Sequence, residues 1–418
     1  ITNEDFVICE IGGTVGDIEG MIFLEALRQM KYKQTQDQFI FIHTCLLPLL
    51  HHADEYKTKP IQQSVKRLKE IGISPDILCI RCKSDISQDI IDKISLFCEV
   101  QPDEIIINKN TTSIYEVPIL FSRQNIIENI FSKFNFISNS NSNSDLVPSN
   151  LDLSTFKELA SHFEKNLPVF DIGIVGKYIG TSDTYLSIEK AIQHSSIKKG
   201  VKINKIWIDA NKIQNQDSAE WNKLKNMEAI IIPGGFGIRD TEGIIDSISY
   251  CRNNNVPILG ICMGFQLMVV EYVRYILYTI NANSVEYQPD VEHPVTQKMS
   301  DFDDNNYGGT MRLGVDKIII EPDSMVYNLY KSTEIYERHR HRYEINPKYV
   351  ELINNHNLDN PDRKFKLKFV GSDKTKTRME ILELGGHKFF VGCQYHPELK
   401  SRFNNTNPLF DGLLDSID

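Results

Sequence analysis

The chain is 418 residues long, 41% hydrophobic and 24% charged, with a formal net charge of −10. That length holds two or more domains with substantial cores, and the acidic balance argues against a general nucleic-acid binder. No apolar run is long enough to span a bilayer: the longest, residues 263–280, is broken by Glu271 and Arg274.

Residues 1–134 alternate strand-like and helix-like segments. Residues 6–11 read as a buried strand ending at Gly12-Gly13, residues 21–32 as a helix and 39–43 as a strand. A helix follows over 60–71, with Pro60 in its first turn. Then come a strand (76–81), a helix (86–98) and a strand (104–107). Such alternation predicts a mostly parallel sheet with helices on both faces. Cys79 and Cys82 form a CxxC, but without a second pair at zinc spacing they read as ordinary thiols in a strand. The eight cysteines are scattered without disulfide-rich spacing, which points to a reducing, cytoplasmic setting.

Residues 135–150 carry a Ser-Asn repeat too polar to bury a core, so a linker is expected over 135–168. A second α/β unit then occupies 169–418. Its expected elements are a strand at 170–175, a helix at 184–194 and strands at 201–208 and 229–232, the last ending in Pro233-Gly234-Gly235. The apolar run 256–259 leads into Gly260-Ile261-Cys262-Met263-Gly264 and a helix-like stretch, 265–272. Strands are expected at 379–384 and 389–394, the second running into His396-Pro397-Glu398.

A thiol on a tight strand-to-helix turn, with a remote histidine and carboxylate, is equipment for attack on an amide. The attacking species is the thiolate, favoured by a helix N-terminus or an adjacent base. His396 can take the thiol proton and deliver it to departing ammonia, and Glu398 can fix the imidazole tautomer. The glycines leave room for backbone and substrate, and N–H groups of Met263 and of the Gly234-Gly235 turn can face the oxyanion.

With these motifs the second half resembles a class I (triad) glutamine amidotransferase. Asn283-Ser284-Val285-Glu286, the 308–314 segment Gly-Gly-Thr-Met-Arg-Leu-Gly and the 337–344 segment Glu-Arg-His-Arg-His-Arg-Tyr-Glu bring it nearer still to the glutaminase domain of CTP synthases. The resemblance implies that Gly235, Met263, Gln266, Glu286 and Arg342 hold glutamine. Glu286 suits the α-ammonium and Arg342 the α-carboxylate.

In the first half, Glu10-Ile11-Gly12-Gly13-Thr14-Val15-Gly16-Asp17-Ile18-Glu19 leaves a strand for a helix, a setting that favours phosphate. Lys57-Thr58-Lys59-Pro60-Ile61-Gln62 adds two ammonium groups at another helix start. With residues 23–29, 64–66 and 72–78, these resemble the amidoligase domain of CTP synthases over about 130 residues. The resemblance implies UTP or CTP contacts at Asp17, Ile18, Glu19, Lys57, Thr58, Lys59, Pro60, Ile61, Gln62 and Lys93. It also implies ATP contacts at Arg81, Lys109, Asn110 and Thr111, and an Mg²⁺ ligand at Glu10.

The implied fold is two doubly wound, mostly parallel α/β domains, a P-loop-like amidoligase and an amidotransferase. The implied reaction aminates UTP to CTP with ATP and glutamine, with GTP as activator, CTP as inhibitor and a homotetramer, in some cases filamentous, as the assembly; neither membrane nor nucleic acid is a partner. The family's P-loop is not among these residues. Because the chain opens at Ile1 rather than Met, about one hundred residues or more are expected upstream, and at most glutaminase chemistry is expected of the chain by itself. The alternatives are a free-standing glutaminase or γ-glutamyl hydrolase, which leaves the lysine and glycine motifs of the first half unexplained, and a structural subunit of a filament. Three smaller departures are Asp240, where the family usually has glycine, Leu399, which replaces an aromatic residue, and the segment 290–306, which is shorter than in some members of the family.

Overall fold

The computed structural model describes residues 6–33, 38–50, 55–134, 152–177, 184–213, 217–235, 241–299 and 311–417. The chain divides into two compact units, residues 1–165 and 166–418.

In the first unit, strands Ile42–Leu46, Ile77–Cys82 and Ile105–Lys109 pair in parallel in that order. Alternating Ile and Cys positions, including Leu78, Ile80 and Cys82, pack on Ile61, Val65 and Ile94 from the flanking helices Lys59–Glu70 and Gln88–Cys98. Burial raises the Cys79 thiol to about 11 and pushes that of Cys82 upward, so both stay protonated packing groups. Helix Ile18–Lys33 opens the unit's described helices.

Two expectations are corrected here. Residues 6–11 form no strand and are largely exposed, because no neighbouring segment among the described residues offers them a hydrogen-bonding ladder. Phe6 instead packs its ring on Phe131 and Phe134. Residues 154–164 are not linker but a helix, Ser154–Glu164, belonging to the first unit. Phe156, Leu159, Ala160 and Phe163 recur at helical spacing; Leu159 is buried and Phe163 stacks on Tyr115. The Ser-Asn repeat lies outside the described residues.

The second unit is built on a sheet that has nine strands among the described residues. Their order is Glu334–His341, Arg312–Ile320, Lys366–Asp373, Met379–Gly385, Phe390–Cys393, Ile258–Ile261, Ala229–Ile232, Val169–Gly176 and Lys202–Asp209. The last five run parallel, and the first four join antiparallel. The central strands Phe390–Cys393, Ile258–Ile261 and Ala229–Ile232 are apolar and buried throughout, as strands covered on both faces must be, whereas the edge strand Lys202–Asp209 carries Lys202, Asn204 and Lys205. One face packs on helices Met263–Tyr275 and Thr241–Asn254, the other on Leu186–Lys199 and Pro408–Asp415. In helix Met263–Tyr275, Glu271 is fully buried against Arg252, and Arg274 pairs with Glu242, so each charge that interrupts the apolar run has a partner of opposite sign. No described helix is long and apolar enough to cross a membrane.

Candidate active site

Three neighbouring parallel strands end at one place. Ala229–Ile232 delivers Pro233-Gly234-Gly235, Ile258–Ile261 delivers Cys262, and Phe390–Cys393 delivers Gln394, Tyr395 and His396. The carboxyl ends of adjacent parallel strands, about 4.8 Å apart, form the usual crevice of such a sheet.

Cys262 has φ +52° and ψ −98°, a conformation L-residues rarely adopt, and is buried. Strain of this kind at a strand-to-helix turn lifts a nucleophile out of the sheet. Its backbone N–H is fixed by the Cys393 carbonyl at 2.7 Å. The first N–H groups of helix Met263–Tyr275, Met263 among them, have no acceptor within the helix. The flanking glycines are steric necessities. A Cβ on Gly264 would lie 2.5 Å from the Ile232 carbonyl oxygen, and one on Gly260 would lie 2.6 Å from Met268 Sδ. Only glycine lets the helix approach the strand that carries the Gly234 turn.

His396 Nδ1 stands 2.8 Å from Glu398 Oε1. Burial disfavours the imidazolium, but the negative charge at Cys262 and the Glu398 carboxylate outweigh it and raise His396 to about 11. An imidazole that keeps its proton beside the sulfur, with a carboxylate behind it, is the partner that a nucleophilic thiol requires. Gly234 sits against both groups: a Cβ there would be 2.8 Å from His396 Cε1 and 3.4 Å from Cys262 Cβ.

Of the residues expected to hold glutamine, Gly235, Met263 and Gln266 adjoin this centre. Gly235 faces Met263, whose Sδ would be 3.3 Å from a Cβ at Gly235. Gln266 is buried and donates to the Tyr343 carbonyl (3.1 Å) and to Gln394 Oε1 (3.0 Å). Arg342 links strands Glu334–His341 and Tyr343–Ile345 and accepts from Met299 N–H. Glu286 is half-buried, and burial followed by the charges of Glu286 and Cys262 pushes the Tyr287 hydroxyl far above its usual range.

Gln394 is the residue that sequence reasoning missed. Its Nε2 lies 3.6 Å from Cys262 Sγ, so one amide touches both the sulfur and Gln266. The Arg-His-Arg-His run divides by period two: Arg338 and Arg340 face out, whereas Glu337, His339 and His341 are buried. Residues 236–240 and 308–310 lie outside the described residues.

In the first unit, Arg81, Lys109, Asn110 and Thr111 line the carboxyl edge of two adjacent parallel strands, with Asn110 N–H on the Cys82 carbonyl. Lys109 and Thr111 also border a cleft of about 300 Å³ against Lys157 and Ser161 of the corrected helix. Lys57 and Lys93 both act on Glu55, whose carboxyl they lower, with the hydrogen bond from Lys57 first. Lys59 and Pro60 are exposed at the start of helix Lys59–Glu70. Thr58 and Gln62 are buried and bonded to each other, and Ile61 is a core residue that can meet a ligand only through its backbone. Asp17, Ile18 and Glu19 open a separate helix, with Asp17 Oδ2 accepting from Thr14 N–H at 2.9 Å. Glu10 is exposed. A single accessible carboxylate suits Mg²⁺, which takes most of its shell from phosphate and water oxygens.

A family model for the CTP synthase N-terminus matches residues 1–136, and one for class I glutamine amidotransferases matches residues 181–416. The CTP synthase of Methanopyrus kandleri is 39% identical over 98% of this chain and 73% of its own length. The chain belongs to the CTP synthase family. The CTP synthase of Sulfolobus acidocaldarius is 40% identical over the same shares. Among solved structures, the glutaminase domain of Trypanosoma brucei CTP synthase with bound acivicin superposes with a TM-score of 0.53. It has 29% identity and covers 59% of this chain and 93% of that domain. The α/β architecture with mostly parallel sheets is that of the family.

Proposed function

We propose that Cys262, His396 and Glu398 are the triad with which this CTP-synthase-family ligase hydrolyses glutamine, and that the ammonia aminates UTP. The observation that carries the reading is the convergence of Cys262, His396 and Gly234 at three adjacent strand ends, with Glu398 on the imidazole.

The Cys262 thiolate attacks the side-chain amide carbon of glutamine. N–H groups at Met263 and at the Gly234-Gly235 turn face the developing oxyanion. His396 gives its proton to the departing ammonia and then takes one from the water that hydrolyses the thioester, releasing glutamate. Gln266, Glu286 and Arg342 hold the amino-acid end. ATP phosphorylates uracil O4, and ammonia displaces the phosphate to give CTP. On this reading UTP and CTP contact Asp17–Glu19, Lys57–Gln62 and Lys93, while ATP contacts Arg81 and 109–111. Mg²⁺ at Glu10 would neutralise phosphate charge. GTP as activator, CTP as inhibitor and a homotetramer follow from the family, and eight free thiols suit the reducing cytoplasm.

The match over residues 1–136 leaves a free-standing glutaminase without a use for the first unit. Two measurements on the same chain test the reading: glutamine hydrolysis, expected to vanish in Cys262→Ala, and calorimetric binding of UTP, expected to survive it. Hydrolysis persisting in Cys262→Ala would refute the triad, and wild-type protein that fails to bind UTP would refute the acceptor.

A further inference from the structure

Beneath the triad lies a second cluster of chemistry-bearing side chains that the glutaminase reaction does not use. His339 and His341, two apart on strand Glu334–His341, project to the same buried side and meet Glu380 of strand Met379–Gly385. All three are essentially sealed from solvent.

The hydrogen bonds define the state of the imidazoles. The Tyr343 carbonyl can only accept, so His341 Nδ1, 3.0 Å away, carries the hydrogen and Nε2 presents a lone pair. An imidazole oriented by Nδ1–H on a backbone carbonyl, with Nε2 bare, is the usual outer support of a metal-binding histidine. His341 Nε2 lies 3.2 Å from His339 Nδ1, and His339 Nδ1 lies 3.7 Å from Glu380 Oε2. Ligands at about 2.0–2.1 Å in a tetrahedral shell stand about 3.3–3.4 Å apart. The two separations therefore bracket the edge of such a shell.

Two further observations point the same way. Glu380 Oε2 is a fully buried polar atom with no hydrogen-bond partner among the described residues, and such an orphan is costly unless something is there to satisfy it. The other carboxylate oxygen, Oε1, is held by Arg312, which leaves Oε2 directed at the imidazoles.

We propose that His339, His341 and Glu380 form a divalent-cation site of zinc type, separate from the thiol and from the nucleotide-bound Mg²⁺. Two imidazoles and a carboxylate are borderline donors that favour Zn²⁺ or Co²⁺ over Mg²⁺ or Ca²⁺. A cation there ties strand Glu334–His341, whose Arg340 carbonyl faces Cys262 Sγ at 3.9 Å, to strand Met379–Gly385, whose Glu380 carbonyl fixes Gln394 N–H. The site is a clasp behind the catalytic turn.

The test uses the full chain refolded from denaturant with Co²⁺, because a sealed site fills as the fold closes. Cys262→Ala serves as the reference, so that the active-site thiol cannot supply the ligand. One Co²⁺ per chain is expected, with the intense visible bands of a four-coordinate ion and no thiolate charge-transfer band. His341→Gln or Glu380→Gln should weaken binding at least about 100-fold, and Zn²⁺ should displace the Co²⁺. Failure of the wild type to retain either ion would overturn the proposal. So would binding that disappears in Cys262→Ala, or binding that persists unchanged in His341→Gln. The wild-type and Cys262→Ala measurements decide the matter even where a cluster variant misfolds.

Discussion

Gly234 lies so close to His396 that a single methyl group on it would stand 2.8 Å from the imidazole Cε1. The side chain most affected is the one that must move protons, and the backbone N–H groups beside it belong to the proposed oxyanion site. Gly234→Ala is expected to lower kcat/KM for glutamine by about 100-fold or more, with little change in the urea midpoint. Near-wild-type kinetics in Gly234→Ala would show that the turn does not border the reacting atoms.

Glu398 holds His396 through a 2.8 Å bond and supports its positive charge. Glu398→Gln keeps the shape and removes the charge. Glutaminase kcat is expected to fall by about 10²- to 10⁴-fold while KM changes little, because Glu398 does not contact the substrate. A change confined to KM would place Glu398 among the binding groups instead.

Gln394 bridges Cys262 Sγ and Gln266. Replacing it with Leu removes a donor to the nucleophilic sulfur of the proposed reaction and leaves the Gln266 amide with one acceptor fewer. Hydrogen bonds to charged groups contribute about 1.5–3 kcal/mol, so a loss of about 10- to 150-fold in kcat/KM is expected. Alkylation of Cys262 by iodoacetamide followed against pH should shift in parallel; an unchanged profile would sever Gln394 from the thiol.

Asp411 accepts from Lys198 at 2.6 Å and from Thr406 at 2.7 Å, fastening the segment that follows Glu398 to helix Leu186–Lys199. Burial opposes the charge, but these partners win and hold the carboxyl below its usual value. A depressed carboxyl contributes stability above its unfolded value near 3.8, and that stability is lost as the pH falls through the folded value. Asp411→Asn should therefore cost about 1–3 kcal/mol at neutral pH, and the gap to wild type should close on acidification toward pH ~3. Urea titrations at several pH values would detect a gap that stays constant, which would contradict this.

The parallel core was legible because its strands are buried on both faces and read as continuous apolar runs, 229–232 and 258–261 above all. The proposed triad stood out in the sequence because Cys262, His396 and Glu398 each follow a strand. Residues 6–11 misled for the same reason: an apolar run reads as a strand whether or not a partner ladder exists. Helix Ser154–Glu164 was hidden by the Ser-Asn repeat before it, although Phe156, Leu159, Ala160 and Phe163 keep helical spacing. The cluster of His339, His341 and Glu380 joins strands that are not neighbours in the sheet, and no local pattern encodes such a meeting.

The corrected helix makes its own prediction. If Ser154–Glu164 is part of the first unit, Leu159→Ala should destabilise that unit by about 2–4 kcal/mol. A linker residue would move it by less than about 0.5 kcal/mol. Denaturant unfolding read by hydrogen exchange in residues 105–117 separates the two.

The most direct test of the account is to trap the covalent intermediate. Wild-type chain mixed with glutamine, quenched in acid and digested should yield one glutamyl adduct, on the peptide that contains Cys262. The adduct should be absent in Cys262→Ala and scarce when His396 is replaced. Glutamine turnover with no adduct on that peptide, or with the adduct on another of the eight cysteines, would contradict it.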